Sequence, residues 1–254
     1  MPVRSFGALP DGTAVDAITI ANDELTATIL TYGAVVQDIR LAGAPHPLVL
    51  GYDTIEVELT YSVEAPGTLK TTITATTDKP TPVNLAQHSY FNLDGTGTIR
   101  DHVLTIPAET YLPVDAGKIP TGEFRPVAGT EYDFRAGRRV GDGHDGVVDS
   151  YDHNFVVTRE KTATPHTLAR LASSRSGLAL DVTSTEPGVQ FYGGQMTKAR
   201  DPGLNGEIYG ANSGLCLEAQ LFPDAPNQKD FPDAILRPGE TYRQETLFRF
   251  SRTG

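Results

Sequence analysis

The sequence predicts an all-β protein, a large antiparallel β-sandwich, on three observations. Short apolar runs rich in Thr, Val, Ile, Tyr and Phe recur along the 254 residues, broken by Gly, Pro, Asp and Asn. Such residues favour a pleated, half-buried surface. The runs follow one another without a convincing amphipathic helix between them, which argues against a parallel sheet with helical crossovers. No repeat, linker or low-complexity tract interrupts the pattern, so residues 1–254 are expected to form a single domain.

Alternation of apolar and polar residues marks strands at Leu25 to Leu30, Val35 to Leu41 and Leu69 to Ala75. Turn signals separate the runs at Leu93-Asp94-Gly95, Asp115-Ala116-Gly117 and Pro238-Gly239-Glu240. The best short helical candidates, Phe134 to Val140 and Asp201 to Leu204, read equally well as turns. Gly141 to Gly146 is a polar loop that lacks the ligand spacing and closing Glu of a calcium loop, so no metal is expected there.

Composition removes several classes of function. A formal net charge of -11 repels phosphate backbones, so nucleic acid is not an expected partner. Met1 to Gly12 contains no apolar core after a basic start, and no stretch approaches about 18 uninterrupted apolar residues. Neither a signal peptide nor a membrane partner is therefore expected. The single cysteine, Cys216, rules out a disulfide within the chain and fits a reducing compartment, with the cytoplasm as the expected location. Its apolar setting, Leu215-Cys216-Leu217, favours a buried structural thiol over a nucleophile. The P-loop, the zincin helix and the C-x-x-C pair are all absent.

Four segments hold residues able to do chemistry. In Ala86 to Leu93, alternation would place His88, Tyr90 and Asn92 on one face of a straight strand. In Ser150 to Val157, Asp152 and Asn154 share a face with His153 opposite. In Gly188 to Gln195, Gln190 and Tyr192 alternate with Val189 and Phe191. In Ser213 to Gln220, Glu218 ends a buried-looking run, and desolvation in a cleft would raise its pKa toward useful basicity. Each segment has a plainer reading as a strand end, bulge or turn whose polar side chains serve the local backbone.

Taken in order, these segments resemble the aldose 1-epimerases, also called galactose mutarotases. The resemblance rests on Gln87 to Leu93, Asp115 to Pro120, Tyr151 to Phe155, Pro187 to Tyr192 and Leu215 to Gln228. Thr31-Tyr32-Gly33-Ala34 and Leu50-Gly51-Tyr52-Asp53 match the family's earlier pattern, so the likeness runs from about Leu30 to Phe250. It implies a mutarotase-like supersandwich fold and interconversion of the α and β anomers of free aldohexoses such as galactose and glucose, without cofactor or metal. In that comparison Glu218 stands at the general base and His88 at the general acid. Asp152 and Gln190 stand at substrate-binding positions, with Tyr90 in support. Hydroxyl groups donate and accept, so carboxylate and amide partners suit them.

The likeness also has a gap. The family carries an Asn-Arg pair and a His-Gly-Gly between its Leu-Gly-Tyr-Asp pattern and the strand before the histidine motif. Here Leu50 to Thr54 runs almost directly into Val57 to Val63, and neither pattern occurs anywhere in the chain. None of His46, His102, His144, His153 and His166 has a context that matches the second family histidine. An internal deletion after Thr54 is therefore expected, with an exposed sheet edge through which copies of the chain could pair. Loss of one positioned donor costs about 2.7–4 kcal/mol at a transition state, so reduced activity, or sugar binding without catalysis, stands as the alternative.

Overall fold

The structure is a computed structural model that describes residues 2–9, 12–23, 25–31, 36–41, 55–143, 151–203 and 206–253. The patterns at Tyr32 to Ala34 and Leu50 to Asp53, and the junction after Thr54, lie outside these residues. So do Leu204 and positions 144–150. The chain divides into two compact units, Met1–Glu56 with Thr76–Pro80 and Arg237–Gly239, and Val57–Ala75 with Thr81–Leu236 and Glu240–Gly254.

Strands are numbered in chain order. The first unit holds a four-stranded antiparallel sheet of β1 (Val3–Ala8), β2 (Ala14–Ala21), β3 (Leu25–Leu30) and β4 (Val36–Leu41), paired in that order. Strands β3 and β4 coincide with the alternating runs at Leu25 and Val35.

The second unit is built on two larger sheets. One has seven strands in the order β11 (Arg138–Arg139), β8 (Val103–Thr105), β13 (His166–Ser173), β14 (Leu178–Ser184), β18 (Tyr242–Arg252), β6 (Thr68–Thr77) and β5 (Ile55–Glu64). The other has five, in the order β10 (Arg125–Pro126), β9 (Thr110–Leu112), β12 (Asp152–Val156), β15 (Gly188–Tyr192) and β16 (Cys216–Gln220). Pairings are antiparallel throughout the five-stranded sheet and from β11 to β6 in the seven-stranded one. A small ladder joins β7 (Thr81–Pro82) to β17 (Ile235–Leu236).

Side chains from both large sheets meet in one core. Phe155, Val189, Phe191, Leu217 and Ala219 come from the five-stranded sheet; Leu104, Leu171, Leu180, Val182 and Phe248 come from the seven-stranded one. Each sheet can bury one face only because its strands alternate, and the two faces then exclude water from each other. The expected antiparallel sandwich is thus observed in this unit. Of the two readings offered for Phe134 to Val140, the turn is observed: a turn at Arg135–Ala136 leads into β11 and then a single 3-10 turn, Val140–Asp142.

The segment around His88 differs from expectation. From Val83 to Tyr90 the backbone is irregular, and only Phe91 forms a bridge, exchanging both backbone hydrogen bonds with Leu215. Side chains replace the ladder. The Gln87 carboxamide oxygen accepts from Ser89 N–H, and the Asn92 amide donates to Ser213 O at 2.9 Å and Thr96 O at 3.3 Å. Polar side chains competing for local backbone groups explain why the alternation fails here. Asn92 thereby serves the loop, while His88 and Tyr90 remain neighbours, with ring centroids 5.4 Å apart.

Candidate functional site

The site lies on the face of the five-stranded sheet opposite the core. Period-two alternation sorts the residues: on β15, Val189 and Phe191 face the core while Gln190 and Tyr192 face away; on β16, Leu217 and Ala219 face the core while Cys216 and Glu218 face away. On β12, His153 and Phe155 point opposite to Asp152 and Asn154. Register then builds two cross-strand rows. Asn154, Gln190 and Glu218 are direct partners in one, and Asp152, Tyr192 and Cys216 in the other. Alternation in the sequence already set Asp152 with Asn154 and Gln190 with Tyr192; register places these and Glu218 beside one another.

The irregular segment swings His88 across this surface. His88 Nε2 lies 3.4 Å from Glu218 Oε1, and its Nδ1 lies 3.3 Å from Cys216 Sγ. The amide of Gln190 donates to Asp152 Oδ1 at 2.9 Å. His88, Asp152, Gln190, Tyr192, Met196, Glu218, Gln220 and Pro223 line an open cleft of about 330 Å³. Tyr90 packs edge-on against Tyr192 at 6.2 Å and faces a second cavity of about 940 Å³ beside the loop at Thr96 to Thr98. Four of the five expected site residues therefore line one cleft, and the fifth flanks it.

The electrostatics suit proton transfer. Burial pushes the Glu218 carboxyl above its ordinary value and the nearby Asp152 charge adds to this, while His88 opposes it. The Cys216 thiol is fully buried and pushed up to about 12, so it stays protonated near neutral pH. No Arg or Lys is among the described residues that line the cleft. The other described histidines serve elsewhere. His102 Nε2 accepts Leu93 N–H at 3.0 Å, and His166 Nδ1 pairs with Thr162 Oγ1 at 2.9 Å. His153 sits between Tyr111 and Tyr132, and burial holds it down to about 4.

His88, Cys216 and Glu218 each bring one metal-ligand atom within 4.8 Å of the others. The ring, however, turns one nitrogen to sulfur and the other to the carboxylate. A single ion takes one imidazole nitrogen, so a ring shared in this way between sulfur and carboxylate fits hydrogen bonding better than chelation.

Two contributors were missed in the sequence. Tyr192 lines the cleft, a role signalled by its alternation with Gln190. Cys216, read as an inert thiol, is buried as expected but also touches His88; the signal was its spacing of two from Glu218 on one strand.

The chain is similar to known proteins over most of its length. Residues 53–249 match the family model described as aldose 1-epimerase. The human galactose mutarotase is 45% identical over 203 residues, 78% of this chain and 58% of that protein. The Escherichia coli K12 aldose 1-epimerase is 40% identical over 187 residues, 70% of this chain and 54% of that protein. The chain thus spans less than two thirds of the curated relatives it matches. The crystal structure of an aldose epimerase homologue from C. elegans superposes with a TM-score of 0.72 at 28% identity, covering 95% of this chain and 100% of that one. That of a Lactobacillus acidophilus galactose 1-epimerase gives 0.61 at 20% identity over 100% of this chain and 99% of that one, a likeness of fold. With the model match extending over most of its length, the chain belongs to the aldose 1-epimerase family.

Proposed function

We propose that the chain catalyses aldose 1-epimerisation, with a free aldohexose such as galactose or glucose as its small-molecule partner. The observation that carries the reading is the facing pair of His88 Nε2 and Glu218 Oε1, 3.4 Å apart above the Gln190–Asp152 hydrogen bond. The leaving ring oxygen and the C1 hydroxyl share one carbon, so acid and base must stand close together. Glu218, made more basic by burial, takes the C1 hydroxyl proton. His88 gives a proton to the ring oxygen as the C1–O bond breaks. Rotation about C1–C2 presents the other face of the aldehyde, and closure returns both protons with the roles reversed. Asp152 and Gln190 hold sugar hydroxyls, and Tyr90 flanks the ring.

The test is polarimetry of freshly dissolved α-D-galactose. The protein is expected to accelerate the approach to the equilibrium rotation, and Glu218→Gln to remove about 10²–10⁴-fold of that acceleration. No acceleration, or a rate unchanged in Glu218→Gln, would sink the proposal. A second reading, a sugar-binding protein with impaired catalysis, draws on the cleft's lack of a lining cation among the described residues. Calorimetric binding of galactose, unaltered in Glu218→Gln and without a rate effect, would favour it.

A further inference from the structure

We propose that Asn84 is a positioning residue whose carboxamide stands in for one rung of a β ladder, and so fixes how far His88 lies from Glu218. The inference rests on the epimerase reading, in which those two groups are the acid and the base.

The argument comes from how the irregular segment is attached. Residues 84–91 run antiparallel along the open edge of β16 and are pinned to that chain at two places. At one end Phe91 and Leu215 exchange both backbone hydrogen bonds. At the other the Asn84 side chain takes the place of a backbone: its amide donates to Leu221 O at 3.1 Å, and its carbonyl oxygen accepts Leu221 N–H at 3.0 Å. Between the pins no backbone hydrogen bond joins residues 85–90 to residues 216–220 among those described. Antiparallel counting from the Phe91–Leu215 bridge, three positions along each chain, sets His88 opposite Glu218. The side chains agree, with His88 Nε2 3.4 Å from Glu218 Oε1. Acid and base thus sit midway along a short span whose backbone is tied to β16 only at its ends.

Asparagine suits this pin. Leu221 is buried just past the end of β16, so its outward N–H and C=O need partners, and no strand supplies them among the described residues. A carboxamide offers a donor and an acceptor at once; a carboxylate lacks the donor and an ammonium the acceptor. Neighbouring residues hold the segment to other elements. Val83 N–H donates to Ala234 O at 2.8 Å, and the Leu85 backbone bonds to the Tyr242 hydroxyl on β18. Neither reaches the chain that carries Glu218, as Asn84 does. Gln244 provides a contrast: it supports β16 by donating to Ala219 O at 2.6 Å, but from β18 rather than from the His88 segment. The groups that face the Glu218 carboxyl are His88 and Tyr90 from this segment, Asp152 from β12 and Cys216 on β16, with Tyr192 of β15 lining the same cleft. Of the charges among them, His88 draws the carboxyl down and Asp152 pushes it up.

The experiment compares wild type with Asn84→Ala, Asn84→Leu and Gln244→Leu, using ¹³C NMR titration of the Glu218 carboxyl and polarimetry with galactose. Asn84 is exposed, so its replacement opens no cavity and both Asn84 variants are expected to fold. In both, the Glu218 titration should move to higher pH, because His88 is no longer held where it opposes the burial. In both, kcat should fall by about tenfold to hundredfold, the scale of a small misplacement, with KM little changed because Asp152 and Gln190 stay on the paired strands β12 and β15. Gln244→Leu should lower the thermal midpoint while leaving the Glu218 titration and kcat in place. A Glu218 titration unmoved in the Asn84 variants, or moved as far in Gln244→Leu, overturns the proposal in favour of general support of the strand. So does loss of cooperative unfolding in both Asn84 variants, which would make Asn84 a support of the whole fold. If wild type does not accelerate mutarotation, the epimerase reading fails, while the Glu218 titration still decides what Asn84 does.

Discussion

Two edge strands of the large sheets, β16 in the five-stranded sheet and β5 in the seven-stranded one, have opposite surroundings. On β16, Cys216 to Ala219 are all buried. Side chains close its margin: Asn84 both donates to Leu221 O at 3.1 Å and accepts Leu221 N–H at 3.0 Å, and Gln244 donates to Ala219 O at 2.6 Å. On β5, Val57, Leu59, Tyr61 and Val63 are 45%, 46%, 52% and 86% exposed, and no strand lies beyond it among the described residues. Its protection is chemical. Glu58 and Glu64 sit along it, and Thr60 and Ser62 donate to them. The difference teaches where function can live on an edge. A carboxylate gains basicity only where water is excluded, and β16 excludes it; β5 only discourages pairing.

The largest expected effect is on the buried side of that comparison. Phe191 is fully buried directly behind Gln190 and Tyr192, stacked on Tyr151 at 5.0 Å and edge-on to Phe134 at 5.6 Å. Phe191→Ala should cost about 3–5 kcal/mol in a urea titration. A cost below about 1 kcal/mol would mean that the site strands do not depend on the shared core, and the contrast between the two edges would lose its meaning.

A smaller effect concerns the cost of the buried carboxylate. Burial raises the Glu218 pKa, so the folded state holds its proton to higher pH than the unfolded chain does. More protons bound in the folded state means that stability falls as pH rises from the unfolded pKa through the folded one. The penalty stands in full above that window. Glu218→Gln should therefore be inactive yet more stable than wild type at neutral pH, with the advantage fading on acidification below the ordinary carboxylate range. Thermal unfolding across pH measures this, and a Gln variant less stable at every pH would show that His88 more than offsets the burial.

How much of this was legible follows from the type of structure. Alternation paired Asp152 with Asn154 on β12 and Gln190 with Tyr192 on β15, and only the family resemblance grouped Asp152, Gln190 and Glu218; the structure puts all three on one face of the sheet. Register was not legible, because it depends on partners far apart in sequence; the contact of Cys216 with His88 spans 128 positions. The irregular path of Val83 to Tyr90 was hidden for a different reason. Its residues read as a strand, but Gln87 and Asn92 supply backbone partners that a strand would have taken from a neighbour.

The smallest effect tests the open edge. Val63 is 86% exposed, so Val63→Lys removes little buried surface, and the unfolding free energy from a urea titration should change by no more than about 0.5 kcal/mol. Lysine on an edge strand disfavours pairing with another chain, so light scattering at high concentration should fall. A concentration-dependent mass in wild type that Val63→Lys abolishes would identify β5 as the seam between two copies. A loss above about 1 kcal/mol in dilute solution would instead mean that Val63 is covered within one chain. In that case both outer strands would be closed, and the distinction between a margin sealed by Asn84 and Gln244 and one guarded by charge would no longer hold.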